Sequence, residues 1–454
     1  MSQPLIELGK DVVTGKAVSL PLSLFERHGW IQGMTGARKT IIATKICMQL
    51  MRLDPQAAFV ICDLGGDQYF FNQLRELARQ LVRPFQFLSV NRDDDWDALD
   101  PMAAITPLQD LSVDVSYLHT ILGGDHGEGY GAGYFGRYSY VSIQRILLGF
   151  VAEGLHSPTL HDFAKRFASS KGKLSDQSEA QLAAEMMLSY DQVQPSAWGH
   201  KQIEVPTAVE RAQVTYGFLP TLMHPGARML AATLVFSFVL EAMRRHYAGL
   251  PARPIYLVID EFPSVAGSKQ WSDLLVLSRK YHIRILCLTQ TSEQMKSRDR
   301  DLLPMLFDNT AIKIWLTPTS QEDIDTLRNL SKDQLKQRGT TQGFRAGVSS
   351  VSMGEVYESR LEANEIRDVA YSGDQGFLIV NAFQGHTEPI RFRFAPDTSP
   401  EEYARLATLP LPKREPSDHR SHAEITDSNR AQRQAQLAQL LMAKQSQLLW
   451  EQSP

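Results

Sequence analysis

Cysteine is scarce in this chain, long apolar runs are missing, and basic charge is not in excess. Each shortage removes a class of protein. Cys47, Cys62 and Cys287 are the only cysteines in 454 residues. They lie far apart without metal-ligand spacing, and Cys62 and Cys287 fall in apolar strand-like runs. They therefore read as buried core thiols in a reducing compartment, not as a disulfide scaffold or a zinc site. His28, His126 and His200 share no ligand spacing either, so no metal site built from protein ligands alone is expected. The longest mainly apolar stretch, Met229 to Leu240, is closed by Glu241, Arg244 and Arg245. It is too short to span a bilayer and reads as a core helix. The opening MSQPLIELGKDVVTG shows no secretory leader. The formal net charge of −4 excludes a globally basic coat, so any nucleic-acid contact has to use a local patch or a channel lining.

What is present is an α/β pattern. Leu5 to Leu22, broken by turn residues, reads as a small β-hairpin. Strands are expected at His28–Gln32, Ala58–Cys62 and Phe85–Val90, with helices near 40–53 and 68–82 between them, which implies a parallel sheet. From Pro107 to about Gln213 most segments read as helical. A long helix, about Ala227 to Tyr247, then leads into the apolar strand Ile255–Ile259, and further strands follow at Ile283–Leu288 and Ala311–Leu316. The expected organisation is one α/β domain split by an insertion: 1–106 and 227–398 form the domain, 107–226 an all-α insertion, and 399–454 a polar linker with a carboxy-terminal helix near 430–450. Arg338 to Ser352, rich in Gly, Ser and Thr, reads as a mobile loop. Gly376–Asn381 and Glu388–Phe394 read as final strands.

Three motifs carry chemistry. The first is Gly33-Met34-Thr35-Gly36-Ala37-Arg38-Lys39-Thr40, set between a strand and a helix. This is a phosphate-binding loop in which backbone N–H groups cradle an anion at a helix N-terminus. Lys39 would sit on the β and γ phosphates and Thr40 would ligate Mg²⁺. Arg38 stands where such loops carry glycine, and its Cβ is expected to interfere with close approach. The second motif is Asp260-Glu261 at the end of an apolar strand. The aspartate would hold Mg²⁺ and the glutamate would orient the attacking water. The third is Thr289-Gln290 after the next strand, where Gln290 can reach a γ-phosphate or that water. Arg279-Lys280, ahead of the same strand, could reach a neighbouring subunit's phosphates or be a solvated helix end. Asp93-Asp94-Asp95 reads as a solvated loop. Tyr130, Tyr134, Phe135, Tyr138 and Tyr140 read as helix core, with base stacking the alternative.

The order of these parts resembles the TraG/TraD-type coupling proteins of conjugative type IV secretion, within the HerA/FtsK superfamily of DNA-pumping motors. The likeness covers about residues 5 to 395. It rests on the loop 33–40, on Asp63-Leu64-Gly65-Gly66-Asp67, where the family tends to read D-P-K-G-D, and on Asp100-Pro101-Met102. It rests further on Asp260-Glu261-Phe262-Pro263, on Arg279 followed by the strand and Gln290, and on Asn309 and Leu361…Glu365-Ile366. The resemblance implies a RecA-like P-loop NTPase with a mainly parallel sheet and an all-α insertion. It implies ATP and Mg²⁺ as cofactors, a homo-hexameric ring, and sequence-independent contact with DNA. The partners it implies are a relaxase or relaxosome and type IV secretion components. The family's amino-terminal membrane helices have no counterpart here, so a cytoplasmic protein is expected, peripheral at the inner membrane only through partners. Two other functions fit the same residues: a catalytically weak pseudo-ATPase scaffold for substrate recruitment, and a HerA-like motor in DNA processing.

Overall fold

The structure is a computed structural model that describes residues 3–108, 110–123, 132–169, 179–193, 201–224, 226–266, 270–297, 300–318, 320–331, 333–345, 348–382 and 385–414. The amino-terminal part contains strands β1 (Leu5–Asp11), β2 (Ala17–Pro21), β3 (His28–Gln32), β4 (Ala58–Asp63) and β5 (Phe85–Ser89), with helices α1 (Lys39–Leu53) and α2 (Gln68–Gln80). Helices α3 (Leu111–Ile121), α4 (Ala132–Ala152), α5 (Leu160–Ser169), α6 (Glu179–Leu188) and α7 (Val205–Glu210) follow. The chain returns through β6 (Val214–Phe218), α8 (Ala227–Tyr247), β7 (Ile255–Ile259), α9 (Gln270–Leu277) and β8 (Ile283–Thr289). A short hairpin, β9 (Lys296–Ser297) and β10 (Arg300–Asp301), precedes α10 (Leu303–Asn309), β11 (Thr310–Trp315) and α11 (Gln321–Leu330). Last come β12 (Asp333–Arg345), β13 (Val348–Ser359), α12 (Ala363–Ser372), β14 (Gln375–Ala382), β15 (Gly385–His386), β16 (Ile390–Arg393) and α13 (Pro400–Thr408).

One large sheet organises these elements, in the order β2-β1-β16-β14-β11-β3-β8-β7-β4-β6-β5, with β15 attached to β14. The stretch from β11 to β5 is parallel throughout. The remainder, β14, β16, β1 and β2, continues it antiparallel. Strands β3, β4, β6 and β7 are buried along their whole length, because both faces of a parallel sheet are covered by helices; β4 and β7 accordingly read as near-continuous apolar runs. Alternate residues enter opposite cores. From β4, Ala58, Val60 and Cys62 join Leu230, Leu234 and Phe238 of α8 and the insertion helices, while Phe59 and Ile61 join Ile42 and Ile46 of α1 and Phe70 and Leu74 of α2. The expected RecA-like α/β class, with its mainly parallel central sheet, is the fold observed. All three cysteines are buried. Among the described residues no helix is long and apolar enough to cross a membrane.

Several local expectations change. Val214–Phe218, not foreseen as a strand, is β6 and separates β4 from β5, so the third expected strand lies at the sheet's edge. Within the stretch expected as a mobile loop, Arg338–Arg345 and Val348–Ser352 are strand. They belong to a long antiparallel hairpin, β12–β13, with register from Asp333 opposite Ser359 to Arg345 opposite Val348. Asp94 is fully buried, accepting hydrogen bonds from Ser89 Oγ (2.7 Å) and Lys413 Nζ (2.7 Å), so it fastens a loop and is not solvated. Helix α13, within the stretch read as a linker, packs on α2. Tyr138 is exposed and Tyr140 lies edge-on to His119. Tyr130, His126, His200 and the expected helix at 430–450 lie outside the described residues, as do the side chains of Tyr134 and Phe135.

Candidate functional site

The parallel strands β3, β8, β7 and β4 all end at the same sheet edge, and the loops leaving those ends build the site. The loop after β3 passes through Gly33 to Arg38 and enters α1 at Lys39. It is pinned from both sides. Gly33 N–H donates to Thr289 O (3.0 Å) at the end of β8, and Met34 N–H donates to Thr317 Oγ1 (2.6 Å) beyond β11. Gly33 has no room for a side chain: a Cβ there would stand 3.0 Å from Ala37 Cβ and 3.1 Å from Leu316 Cβ. Gly36 takes φ +84°, a turn that side-chain-bearing residues resist.

Arg38 takes the same left-handed region, φ 62° and ψ 30°, at the N-cap of α1. The backbone thus keeps the course a glycine would give it, and the arginine bears the strain, about 1–2 kcal/mol for a residue with a Cβ. Its side chain is exposed. Lys39 is buried, and its ammonium donates to Gly33 O (2.7 Å), closing the loop on itself. Thr40, half-buried, lies in the first helical turn, where backbone N–H groups have no intrahelical acceptors.

Asp260 follows β7, two strands from β3. It is nearly fully buried, and its Oδ1 has no hydrogen-bond partner. Burial, reinforced by the charges of Asp63 and Glu261, pushes its carboxyl up to about 8, while the Lys39 ammonium pulls the other way. Lys39 follows β3 and Asp260 follows β7, so both stand at the carboxyl ends of the parallel strands that flank β8. Glu261 is left-handed, at φ 52° and ψ 47°. Phe262, packed edge-on against Trp271, anchors the turn that follows. The Glu261 carboxylate accepts a hydrogen bond from Gln290 Nε2 at 2.8 Å. β8 lies between β3 and β7, so Gln290 stands between the phosphate loop and the acidic pair.

Two groups at this edge were not singled out as site residues. Asp63, at the end of β4, is fully buried and accepts from Gly66 N–H (2.6 Å), Asp67 N–H (2.8 Å) and Tyr216 O–H (2.8 Å). Burial and the Asp67 charge raise its carboxyl, while the bond from Tyr216 opposes them. The turn it shapes brings Gly65 against Asp260, where a Cβ would meet Asp260 Oδ2 at 2.7 Å. A strand-ending aspartate before a glycine pair was the available signal. Tyr216 gave none, because it comes from β6. The second group is Asp323 in α11, which accepts from Gln32 Nε2 (2.7 Å) and Ser292 Oγ (2.6 Å) beneath the loop.

Arg279 does not join this group. It precedes β8 at the opposite edge of the sheet, exposed, beside Arg27 and His28. The length of β8, about 20 Å, separates it from Gln290 in the same chain. Among the described residues no cluster of three or more His, Cys, Asp or Glu side chains could hold a metal ion. The orphaned Asp260 oxygen nonetheless suits a hard cation whose other ligands are phosphate and water.

Residues 254–367 match the family model described as the TraM recognition site of TraD and TraG. No curated protein matches the sequence. Solved structures share the fold. The unbound monoclinic form of the bacterial conjugative coupling protein TrwBdeltaN70 aligns at TM-score 0.60 and 15% identity, over 89% of this chain and 90% of that one. Plasmid coupling protein TrwB in complex with ADP and Mg²⁺ aligns at 0.56 and 15%, over 88% and 98%. VirB4 of Thermoanaerobacter pseudethanolicus aligns at 0.57 and 14%, over 88% and 98%. The resemblance drawn from the motifs is borne out at that level: residues 254–367 match the TraG/TraD model, and 89% of the chain aligns with the fold of a coupling protein.

Proposed function

We propose that this chain is a nucleotide-driven motor of the coupling-protein type, which binds Mg²⁺–ATP at the sheet edge described above and moves DNA toward a type IV secretion system. The observation that carries this reading is the convergence of Lys39, Asp260, Glu261 and Gln290 at one edge, with Asp260 Oδ1 buried and unpartnered. The TrwB structure with ADP and Mg²⁺ supports it by analogy.

In this mechanism the loop N–H groups and Lys39 hold the phosphates, and Lys39 exchanges Gly33 O for a phosphate oxygen. Thr40 and Asp260 would hold Mg²⁺, which would supply positive charge against the phosphate oxygens. Glu261, kept in place by Gln290, orients the attacking water. Lys39 and the positive end of α1 stabilise the negative charge that develops. Arg279 acts in trans on a neighbouring subunit's nucleotide within a homo-hexameric ring, since its own site lies a strand's length away. The match of 254–367 to a TraM recognition site supports a relaxosome component as partner. The chain works in the cytoplasm and meets the membrane through partners.

Turnover of ATP with and without DNA tests this reading. We expect DNA-stimulated hydrolysis that Lys39→Ala abolishes. Arg38 favours a second reading, a nucleotide-weak scaffold that recruits substrates. In that case wild type turns over almost nothing with or without DNA, and Arg38→Gly restores hydrolysis.

A further inference from the structure

Tyr216 takes no part in the mechanism above. It stands in the middle of β6, fully buried, and its O–H donates to Asp63 Oδ2 at 2.8 Å. Its ring is held edge-on by Phe70 and Phe71 of α2, at centroid separations of 5.7 and 5.1 Å. A phenylalanine would fill the same space without burying a hydroxyl, so the hydroxyl is the informative atom. We propose that Tyr216 is a positioning residue: through Asp63 it holds the turn 64–66 against Asp260, and so settles which oxygen of that carboxylate is offered to a cation. The proposal rests on the reading of Asp260 as a Mg²⁺ ligand and adds what aims it.

Asp63 is spent on the turn. Its Oδ1 accepts from Gly66 N–H (2.6 Å), and its Oδ2 accepts from Asp67 N–H (2.8 Å) as well as from Tyr216. Three donors fill most of the roughly four lone-pair sites of a carboxylate, which leaves little capacity for a metal. Asp260, by contrast, keeps Oδ1 without a partner. The main chain leaving β6 stitches the same turn from its other side. Leu219 N–H donates to Asp63 O (2.8 Å), and Thr221 N–H donates to Leu64 O (3.2 Å). Gly66, at φ +80°, lies against Phe218 and Pro220. β6 therefore grips the turn by a side chain within the strand and by the backbone that follows it.

The turn held this way backs Asp260. Asp260 N–H donates to Cys62 O (2.9 Å), which ties its backbone to β4 beside Asp63. Gly65 lies over the Asp260 side chain and fits there because it has none of its own: a Cβ would stand 2.7 Å from Oδ2. With Oδ2 against the main chain of Gly65, Oδ1 is the oxygen left for a ligand. Partners that orient a metal-binding carboxylate from behind matter to the metal, and losing one costs about tenfold to a hundredfold in affinity. The Tyr216 hydroxyl reaches the cation through Asp63, the turn and Asp260, in that order.

The test uses the full chain and a fluorescent ATP analogue, titrated with Mg²⁺ and, separately, in EDTA. Tyr216→Phe removes the hydroxyl and keeps the ring. Gly65→Ala keeps the hydroxyl and crowds Asp260 directly. We expect each to raise the half-saturating Mg²⁺ concentration about tenfold. Binding in EDTA, which relies on the Lys39 loop, should stay at the wild-type level. A metal-free readout separates positioning from general damage. In Tyr216→Phe the Gly66 and Asp67 amides should exchange hydrogen about tenfold faster, while amides at the centre of α2 keep wild-type rates. If Tyr216→Phe does not fold, Gly65→Ala decides whether the turn aims Asp260. Wild-type Mg²⁺ dependence in both variants would overturn the proposal, and so would an equal loss of binding with and without Mg²⁺. The underlying reading fails separately, and takes this one with it, if wild-type affinity is indifferent to Mg²⁺.

Discussion

Asp260 is the residue on which the proposed mechanism turns. Its carboxyl sits at about 8 because burial, Asp63 and Glu261 all oppose ionisation. A folded-state pKa above the unfolded value of about 4 means that the folded chain holds a proton the unfolded chain gives up. The associated stability is full below pH 4 and is lost as pH rises through 8. Asp260→Asn removes that dependence, so thermal melts at pH 9 should place its Tm above that of wild type. A cation at Asp260 has to displace the same proton, so Mg²⁺-dependent nucleotide affinity should rise about tenfold per pH unit up to 8 and then level off. Flat affinity from pH 6 to 9 would mean that Asp260 is not a ligand. Arg38→Gly should relieve the left-handed strain and stabilise the chain by about 1 kcal/mol, read as a higher urea midpoint. Lys39, Asp260 and Gln290 were legible in the sequence because each sits at a fixed distance from its own apolar strand. The Asp63–Tyr216 bond was not, because it joins residues 153 positions apart through strand neighbours that no local pattern encodes.

Among the elements, α11 links β3 to the segment after β8. It starts from a Ser320 cap, and Asp323 in its first turn serves two buried donors from other elements. Asp323→Ala would strand the Gln32 amide and the Ser292 hydroxyl, and urea unfolding should show a loss of about 2 kcal/mol. A loss under half that would mean water replaces the carboxylate and the link is slack. Element legibility followed apolar content. β4, β7 and β8 announce themselves as Val/Ile/Leu runs, and α8 by its length. β6 escaped because Thr215 and Gly217 interrupt a five-residue strand beside a helical region. The β12–β13 hairpin escaped because Gly, Ser and Thr give neither alternation nor a turn signal that sets a register.

For the whole molecule, the sheet puts the two halves of the expected chemistry at opposite edges. The phosphate loop, Asp260, Glu261 and Gln290 occupy one, and Arg279 occupies the other. A single chain cannot bring them together, so the ring reading carries a specific consequence. Lys39→Ala and Arg279→Ala should each be inactive alone and should recover turnover when mixed, because one subunit supplies the intact loop and its neighbour the arginine. No recovery would remove Arg279 from the chemistry. The sequence made the parallel sheet legible, and with it the edge that holds the proposed site. How subunits of the proposed ring would meet was beyond it, since surface contacts leave no periodic signature.

The central claim, that the Lys39 loop and Asp260 form one pocket for a magnesium-bound triphosphate, is tested most directly by a double-mutant cycle on Mg²⁺–ATP affinity with Lys39→Ala and Asp260→Asn. Two groups holding one ligand should be coupled by more than about 1 kcal/mol, with the double variant binding no more weakly than the worse single variant. Independent effects that simply add, or single variants that bind as wild type does, would contradict the account.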